Sequence, residues 1–133
     1  MKIILIFSFL FGSVFVIKDQ AFSASDKMTY EKAVSLSNEN NKLIMLKITA
    51  NNCKYCRKMD NEVLSDLEVQ KLLSQNFITL SINVDEEYLP LGLKRTITPT
   101  FIFIDKNQKI VSKLPGSWNK SDFLELLNAR IKK

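Results

Sequence analysis

Residues 43–59 read LIMLKITANNCKYCRKM, and this stretch decides the fold. Leu43 to Thr49 is a nearly continuous apolar run of strand length, which predicts a buried strand. The turn that follows offers Asn51 or Asn52 as a side-chain cap for a helix. The sequence therefore predicts a buried strand that leads directly into a helix, with Cys53 at the start of that helix.

Cys53 and Cys56 are the only cysteines of the chain, and their spacing favours a reversible dithiol/disulfide pair. At a helix start, the first sulfur lies beside unpaired backbone N–H groups and the positive end of the helix dipole, which stabilise a thiolate. The second sulfur lies about one turn away, within reach of a disulfide. A structural disulfide is the alternative, but so short a loop restricts the unfolded chain little. We therefore predict that Cys53 attacks and Cys56 resolves.

The chain contains no histidine, and this excludes several kinds of site. A haem attachment motif needs histidine after the second cysteine, where Arg57 stands. Two thiols without histidine do not complete a zinc site, so no bound metal is predicted. Hydrolytic sites of the Ser-His-Asp or Cys-His kind are excluded for the same reason.

The charge pattern gives no support for nucleic-acid binding. The 133 residues include 19 Lys or Arg and 14 Asp or Glu, for a net charge of +5. The basic residues are spread along the chain and alternate with acidic ones, which is typical of a solvated surface.

The N-terminus predicts an export signal in residues 1–23. Lys2 precedes an apolar run from Ile3 to Ile17, and Ala21-Phe22-Ser23 offers a cleavage site with small residues. The run is shorter than the roughly 20 residues of a spanning helix, so a retained anchor is the weaker interpretation. We expect a periplasmic protein whose mature part, residues 24–133, forms one domain.

Hydrophobic periodicity places the other elements around the cysteine helix. Apolar and polar residues alternate from Phe77 to Val84, which predicts a second strand. Because a helix joins the two strands, we expect them to be parallel, and a later hairpin adds antiparallel strands. The remaining predicted elements are a helix over 29–38, a helical stretch from a capping box at 65–68, a loop or short helix over 85–95, hairpin strands over 101–105 and 109–113, and a final helix from residue 119.

Five motifs follow one another along the chain: Cys53 to Met59 (CKYCRKM), Glu62 to Gln70 (EVLSDLEVQ), Asn83-Val84-Asp85, Thr98 to Phe101 (TPTF) and Leu114-Pro115-Gly116. In this order they resemble the thioredoxin-like family, in particular its exported bacterial disulfide isomerases and reductases and the thioredoxins of sulfur-oxidation systems. The resemblance covers residues 28–131. It implies a thioredoxin-like α/β fold, in which helices flank a central mixed four-stranded β-sheet.

The resemblance also implies roles at the site. In the family, the proline that opens the third strand is cis and faces the active-site disulfide, a role that falls here on Pro99. Thr98 would then pair through its backbone with an extended substrate chain. Two positions depart from the family: Asn52 stands where thioredoxins commonly carry Trp, and Lys47 where they carry a buried Asp. The usual proton acceptor is therefore missing.

Three further residues are predicted to modulate the cysteine pair. Lys54 places a cation beside Cys53, and Tyr55 is expected to pack over the site. For these two, a variable dipeptide without a role of its own stays open. Lys47 would favour the thiolate if its ammonium group pointed toward the sulfur atoms. The other interpretation is a surface lysine whose stem lies over the sheet edge.

The predicted function is a periplasmic thiol:disulfide oxidoreductase that reduces or isomerises disulfides of exported proteins. Its redox group is the Cys53/Cys56 pair, and no other cofactor is expected. A known isomerase of this family uses an additional dimerisation domain, for which the chain has no room. This favours a monomer that a membrane-bound thiol donor keeps reduced.

Two alternatives from other classes stay open. Cys53, Cys56 and Met59 form a soft ligand set suited to Cu(I), although Met59 is more simply a core residue of its helix. A non-catalytic interaction module with the thioredoxin fold would need neither cysteine.

Overall fold

The strand and the helix predicted from residues 43–59 are both present. The structure, a computed structural model, describes residues 27–132, and the predicted export signal lies outside them. The elements are α1 (Tyr30–Asn40), β1 (Leu43–Thr49), α2 (Lys54–Met59), a π-helical turn (Asp60–Leu64), α3 (Leu67–Asn76), β2 (Phe77–Asn83), β3 (Thr100–Ile104), β4 (Ile110–Pro115) and α4 (Lys120–Ile131). Among these helices, none is long and apolar enough to cross a membrane.

The four strands form one mixed sheet in the order β2-β1-β3-β4. β1 and β2 are parallel, with Leu43 opposite Phe77 and Thr49 opposite Asn83. β3 is antiparallel to both β1 and β4. The predicted directions of the strands are therefore confirmed. β1 is an interior strand whose inner residues are all buried, as its apolar run predicts.

Alternate side chains of β1 contribute to two cores, one on each face of the sheet. On one face, Met45 belongs to a cluster with Met59 at the end of α2 and Phe123 of α4. On the other face, Ile44 belongs to a cluster with Ala33 of α1. Complete burial of a large apolar side chain contributes about 1.5–3 kcal/mol. The packing of Met59 therefore fixes the cysteine helix against the sheet.

The predicted capping box at residues 65–68 is wrong by one residue. Asp66 is the N-cap of α3, and its carboxylate accepts the N–H groups of Glu68 and Val69. The hydroxyl of Ser65 donates instead to the carbonyl of Asn61, at 2.6 Å. Ser65 therefore closes the π-helical turn and is not available to α3.

The remaining boundaries lie within two residues of the predicted ones. α1 continues to Asn40 and ends at Asn41, which adopts the left-handed conformation with a φ of 51°. The two hairpin strands are β3 and β4. Residues 84–99 contain neither helix nor strand, so the segment predicted as a loop or short helix is a loop.

Candidate active site

Cys53 and Cys56 form a disulfide at the start of α2, and their Cα atoms are 5.2 Å apart. Cys53 is itself the N-cap of α2, because its sulfur accepts the backbone N–H of Cys56 at 3.1 Å. Cys56 is only 3% exposed, whereas Cys53 is partly exposed. The sulfur of Cys53 is therefore the one that an outside thiol or disulfide can reach.

The predicted asparagine caps are wrong, because both residues serve the turn that leads into α2. Asn52 adopts a φ of 55°, in the left-handed region that asparagine enters more readily than most residues. The backbone N–H of Asn51 donates to the carboxylate of Asp85 at 2.7 Å. The side-chain oxygen of Asn51 accepts an amide N–H of Asn83 at 2.8 Å. These bonds tie the turn before Cys53 to the end of β2.

The loop before β3 brings Thr98 to the disulfide. The hydroxyl of Thr98 donates to the sulfur of Cys53 at 3.3 Å. The Thr98–Pro99 peptide bond is cis, the isomer that the resemblance implies, and Pro99 is fully buried. The carbonyl of Pro99 accepts the N–H of Gly116 at 2.8 Å, which joins this loop to the end of β4.

Lys47 lies in an interior strand, so the interpretation as a surface lysine over the sheet edge is wrong. Its side chain is only 11% exposed, and its ammonium group forms an ion pair with Asp60, the C-cap residue of α2. Asp60 follows Cys56 by four residues, about one helical turn. A carboxylate therefore lies at the C-terminal end of the cysteine helix, in the π-helical turn and not in β1, where the family commonly carries its acid.

Asp85 ties the two loops of the site together, and sequence reasoning gave it no role. Its carboxylate pairs with Arg95 and accepts the backbone N–H of Asn51. The bond from Arg95, and then the bond from Asn51, hold the pKa of Asp85 below its usual 3.8. Asn51 lies two residues before Cys53, and Arg95 lies three residues before Thr98. The motif Asn83-Val84-Asp85 at the end of β2 was the feature of the sequence from which a role for Asp85 could have been predicted.

Lys54 and Tyr55, between the cysteines, are both exposed. Tyr55 is 59% exposed, so it offers a surface to a partner beside the disulfide. The packing of Tyr55 over the site stays a prediction.

Met59 is fully buried in the core cluster beside Met45 and Val63. This position favours its interpretation as a core residue over the interpretation as a Cu(I) ligand. In the part of the chain that the structure describes, no group of three His, Cys, Asp or Glu side chains could hold a metal ion.

Comparison with known protein families, curated proteins and solved structures finds similar proteins of each kind. A family model described as a thioredoxin-like domain matches residues 30–131. The solution structure of a thioredoxin from Thermus thermophilus is 31% identical, with a TM-score of 0.65 over 76% of this chain and 82% of that one. Anterior gradient protein 1 of Xenopus laevis is 31% identical over 93 residues, which are 68% of this chain and 49% of that protein. The chain thus spans about half the length of the curated relatives that it matches.

A more distant solved structure has the same fold. The disulphide isomerase from Xylella fastidiosa Temecula1 has a TM-score of 0.59 over 77% of this chain and 88% of that one. Its sequence identity is 18%, so this likeness concerns the fold alone.

Proposed function

This chain belongs to the thioredoxin-like family, and from this premise we propose that it is a thiol:disulfide oxidoreductase that reduces or isomerises disulfides of exported proteins. The observation that carries the proposal is the position of the Cys53 sulfur. It is partly exposed, it lies 3.3 Å from the hydroxyl of Thr98, and its disulfide partner Cys56 is buried. A purely structural disulfide gains nothing from one reachable sulfur beside a polar donor.

The reduced form starts the reaction. Cys53 attacks as a thiolate, which the N–H of Cys56 and the hydroxyl of Thr98 stabilise because both donate to its sulfur. A bond forms between Cys53 and one substrate sulfur, and the substrate disulfide breaks. The other substrate sulfur leaves as a thiolate and takes up a proton. The product of this step is a mixed disulfide.

Cys56 then resolves the mixed disulfide. It loses its proton and attacks the sulfur of Cys53, so that the disulfide of the structure forms and the second substrate sulfur leaves and is protonated. Two electrons have passed from the cysteine pair to the substrate. In isomerisation, a further substrate thiol attacks the mixed disulfide first, and Cys53 is released as a thiolate.

Charged side chains near the pair assist the thiolate form in this proposal. Lys47 keeps the modulating role predicted for it, because Asp60 holds its buried ammonium group on the side of the sheet that α2 covers. Lys54 adds an exposed cation next to Cys53. The backbone of Thr98 binds the substrate chain, with Pro99 behind it in the core.

The oxidised form needs a thiol donor to return to the reduced form. We assign this role to a membrane-bound thiol protein outside the cytoplasm, since residues 1–23 carry the features of an export signal. The protein acts as a monomer in this proposal. Determination of the N-terminal residue of the exported protein tests the signal, and an intact Met1 on cytoplasmic protein would contradict it.

The reduction potential of the cysteine pair tests the direction of the reaction. The protein is equilibrated against glutathione or dithiothreitol mixtures, and its thiols are trapped and counted by mass. A potential near about −270 mV supports a reductase, whereas one near about −120 mV supports an oxidant. If no reversible disulfide forms, the proposed function is wrong. Cys56→Ser should accumulate a mixed disulfide with a protein substrate, and the double variant Cys53→Ser/Cys56→Ser serves as its control.

A further inference from the structure

A cavity of about 650 Å³ lies at the end of the sheet opposite the disulfide. It is lined by Leu43 and Phe77, the first residues of β1 and β2, and by the turn between β3 and β4. Cys53 lies beyond the other end of β1, whose seven residues span about 20 Å. The cavity is therefore separate from the site of disulfide exchange, and its volume is typical of ligand-binding clefts.

Three cations from different parts of the chain line this cavity: Lys42 before β1, Lys106 in the hairpin turn and Arg130 in the last turn of α4. The ammonium group of Lys106 donates to the side-chain oxygen of Asn41 at 3.0 Å. That of Lys42 donates to the carbonyl of Ser74 at 3.1 Å. Asn41 lines the cavity and Ser74 lies next to its lining, so these bonds hold both ammonium groups at its edge.

The guanidinium group of Arg130 is held in one orientation. Its Nε–H donates to the hydroxyl of Ser112 at 2.8 Å, one Nη1–H donates to the carbonyl of Leu126, and the group lies 4.6 Å from the centre of the Phe103 ring. Three of its five N–H groups have no acceptor among residues 27–132. Burial also lowers the pKa of this group. An oriented guanidinium of this kind can bind an oxyanion through two parallel hydrogen bonds.

Within the part of the chain that the structure describes, no carboxylate forms an ion pair with any of these three cations. Asp105 is the acidic residue of the lining, and its charge is directed to its own turn. Its Oδ1 accepts the backbone N–H groups of Asn107 and Lys109, each at 2.9 Å. The lining thus carries three positive charges against one negative charge, which favours an anion in the cavity.

A simpler interpretation is that the cations only balance the C-terminal ends of α1, α3 and α4, which meet at the cavity. Lys42 serves α3 in this way, because Ser74 is one of the last four residues of that helix. Lys106 donates to a side chain instead. Leu126, the acceptor of Arg130, lies before the last four residues of α4. Balance of the helix ends therefore accounts for one cation of the three.

Apolar side chains form another part of the lining. Val111 of β4 is 49% exposed and Ile131 of α4 is 38% exposed, although both are large apolar residues. Leu43 and Phe77 line the cavity from the sheet. An apolar wall with a few placed polar groups is typical of sites for small organic ligands. The cations select an acidic group, and the apolar wall selects the body that carries it.

We propose that this cavity binds an organic anion, with a carboxylate, sulfonate or phosphate group on an apolar body. The acidic group binds the free N–H groups of Arg130, with the ammonium groups of Lys42 and Lys106 beside it. The apolar body packs against Val111 and Ile131. The site shares no residue with the disulfide exchange, so this inference stands or falls independently of the proposed function.

The test is a titration of the oxidised protein with naphthalene-2-sulfonate, followed by the NMR shifts of the backbone amides. Binding should saturate, and the shift changes should be confined to residues at the cavity, while the amides of Cys53, Cys56 and Thr98 do not move. Naphthalene-2-methanol has the same apolar body without the charge, and should bind at least about tenfold more weakly. Equal binding of the two compounds, or shift changes without saturation at cations all over the surface, would overturn the inference.

Two variants and a matched control locate the bound sulfonate. Arg130→Lys keeps the charge but loses the planar pair of donors, and should weaken binding about tenfold. Lys106→Gln removes an exposed charge and should weaken it about threefold. Lys109→Gln removes an exposed charge from the same hairpin turn, outside the lining, and should leave binding unchanged. An equal loss in Lys106→Gln and Lys109→Gln would show that binding follows net charge, and would overturn the inference even if Arg130→Lys does not fold.

Redox activity and vesicle binding supply two further readouts. The reduced protein should reduce hydroxyethyl disulfide, which carries no charge, at the same rate with and without saturating naphthalene-2-sulfonate. Inhibition would place the sulfonate at the cysteine pair and overturn the inference. Binding to anionic phospholipid vesicles that depends on Lys106, without binding of the free sulfonate, would assign the cations to a membrane surface and overturn it as well.

Discussion

The hydroxyl of Thr98 donates a hydrogen bond to the sulfur of Cys53 at 3.3 Å, although 45 positions separate the two residues in the sequence. The sulfur also accepts the backbone N–H of Cys56. Two donors therefore converge on the sulfur that is exposed to a partner. Donors of this kind stabilise a thiolate more than a thiol, so the fold itself supplies a means of activating Cys53.

Replacement of Thr98 by valine should make the Cys53 thiolate less stable relative to the thiol, because one hydrogen bond to its sulfur is lost. The thiolate fraction at neutral pH then falls. Each remaining thiolate is a better nucleophile, so the rate of disulfide reduction should fall only about threefold. At alkaline pH, where Cys53 is fully ionised in both proteins, the variant should be the faster enzyme. The measurement is the rate against pH, together with the ultraviolet absorbance of the thiolate.

Thr79→Val is the matched control for this variant. Thr79 lies in β2 and is exposed, and the change removes a hydroxyl of the same kind. Its rate profile should coincide with that of the unaltered protein. A Thr98→Val profile that lies below the control at every pH would show that Thr98 acts on substrate binding and not on the thiolate.

Replacement of Asp60 should lower the free energy of unfolding more than replacement of its ion-pair partner Lys47. Lys47 has a side chain that is 11% exposed, whereas that of Asp60 is 46% exposed. Asp60→Asn leaves a buried ammonium group without its partner and should cost about 2 kcal/mol of unfolding free energy. Lys47→Met leaves a carboxylate that water can solvate, and should cost less. Urea unfolding of each variant measures both values.

The double variant Lys47→Met/Asp60→Asn decides whether the pair acts as a unit. Because the buried charge is then absent, we expect it to be more stable than Asp60→Asn alone. Additive losses would contradict a coupled pair.

The two thiols of the reduced protein should differ in their reaction with iodoacetamide. Cys53 is partly exposed and Cys56 is 3% exposed, so Cys53 should be alkylated at least about tenfold faster. Mass spectrometry of peptides after brief labelling gives the ratio. In denaturant, the two rates should become similar. Equal labelling in the folded protein would show that Cys56 is reachable and would contradict the assignment of Cys53 as the attacking residue.

Local sequence patterns predicted β1 and the start of α2, because burial along one strand and the spacing of two cysteines can be seen in a short stretch of sequence. An interior strand is apolar on both faces, so the run from Leu43 to Thr49 identified β1 with its correct ends. The spacing of Cys53 and Cys56 identified the start of α2. The prediction of the cap failed because α2 begins at Lys54, one residue later than expected, and the sulfur of Cys53 itself accepts the N–H of Cys56.

The electrostatics of the site were not predictable in the same way. Lys47 and Asp60 are 13 positions apart, and Asp85 and Arg95 are 10 apart, so each pair depends on how whole elements are placed. Along the sequence, acidic and basic residues alternate and appear balanced. In the fold, the acids pair with other cations, as Asp66 does with Lys120, while the cations of α2 stay exposed.

Asp85 should make the geometry of the site sensitive to acid. Its bonds with Arg95 and Asn51 hold its pKa below the usual 3.8 in the folded protein. The folded state therefore binds a proton less readily than the unfolded state, so the bonds contribute stability that is complete above pH 3.8. That contribution is lost as the pH falls from there through the lower folded-state pKa. Unfolding by urea at a series of pH values should show stability falling in this range.

The variant Asp85→Asn should lack this part of the pH dependence, because an amide has no proton to gain. Glu125→Gln, which alters an exposed carboxylate on α4, should retain it. Asp85 also joins the turn before Cys53 to the loop before Thr98, so the variant should lose reductase activity well above pH 3.8 as well. If Asp85→Asn and Glu125→Gln give the same stability profile and the same activity, Asp85 does not hold the two loops together.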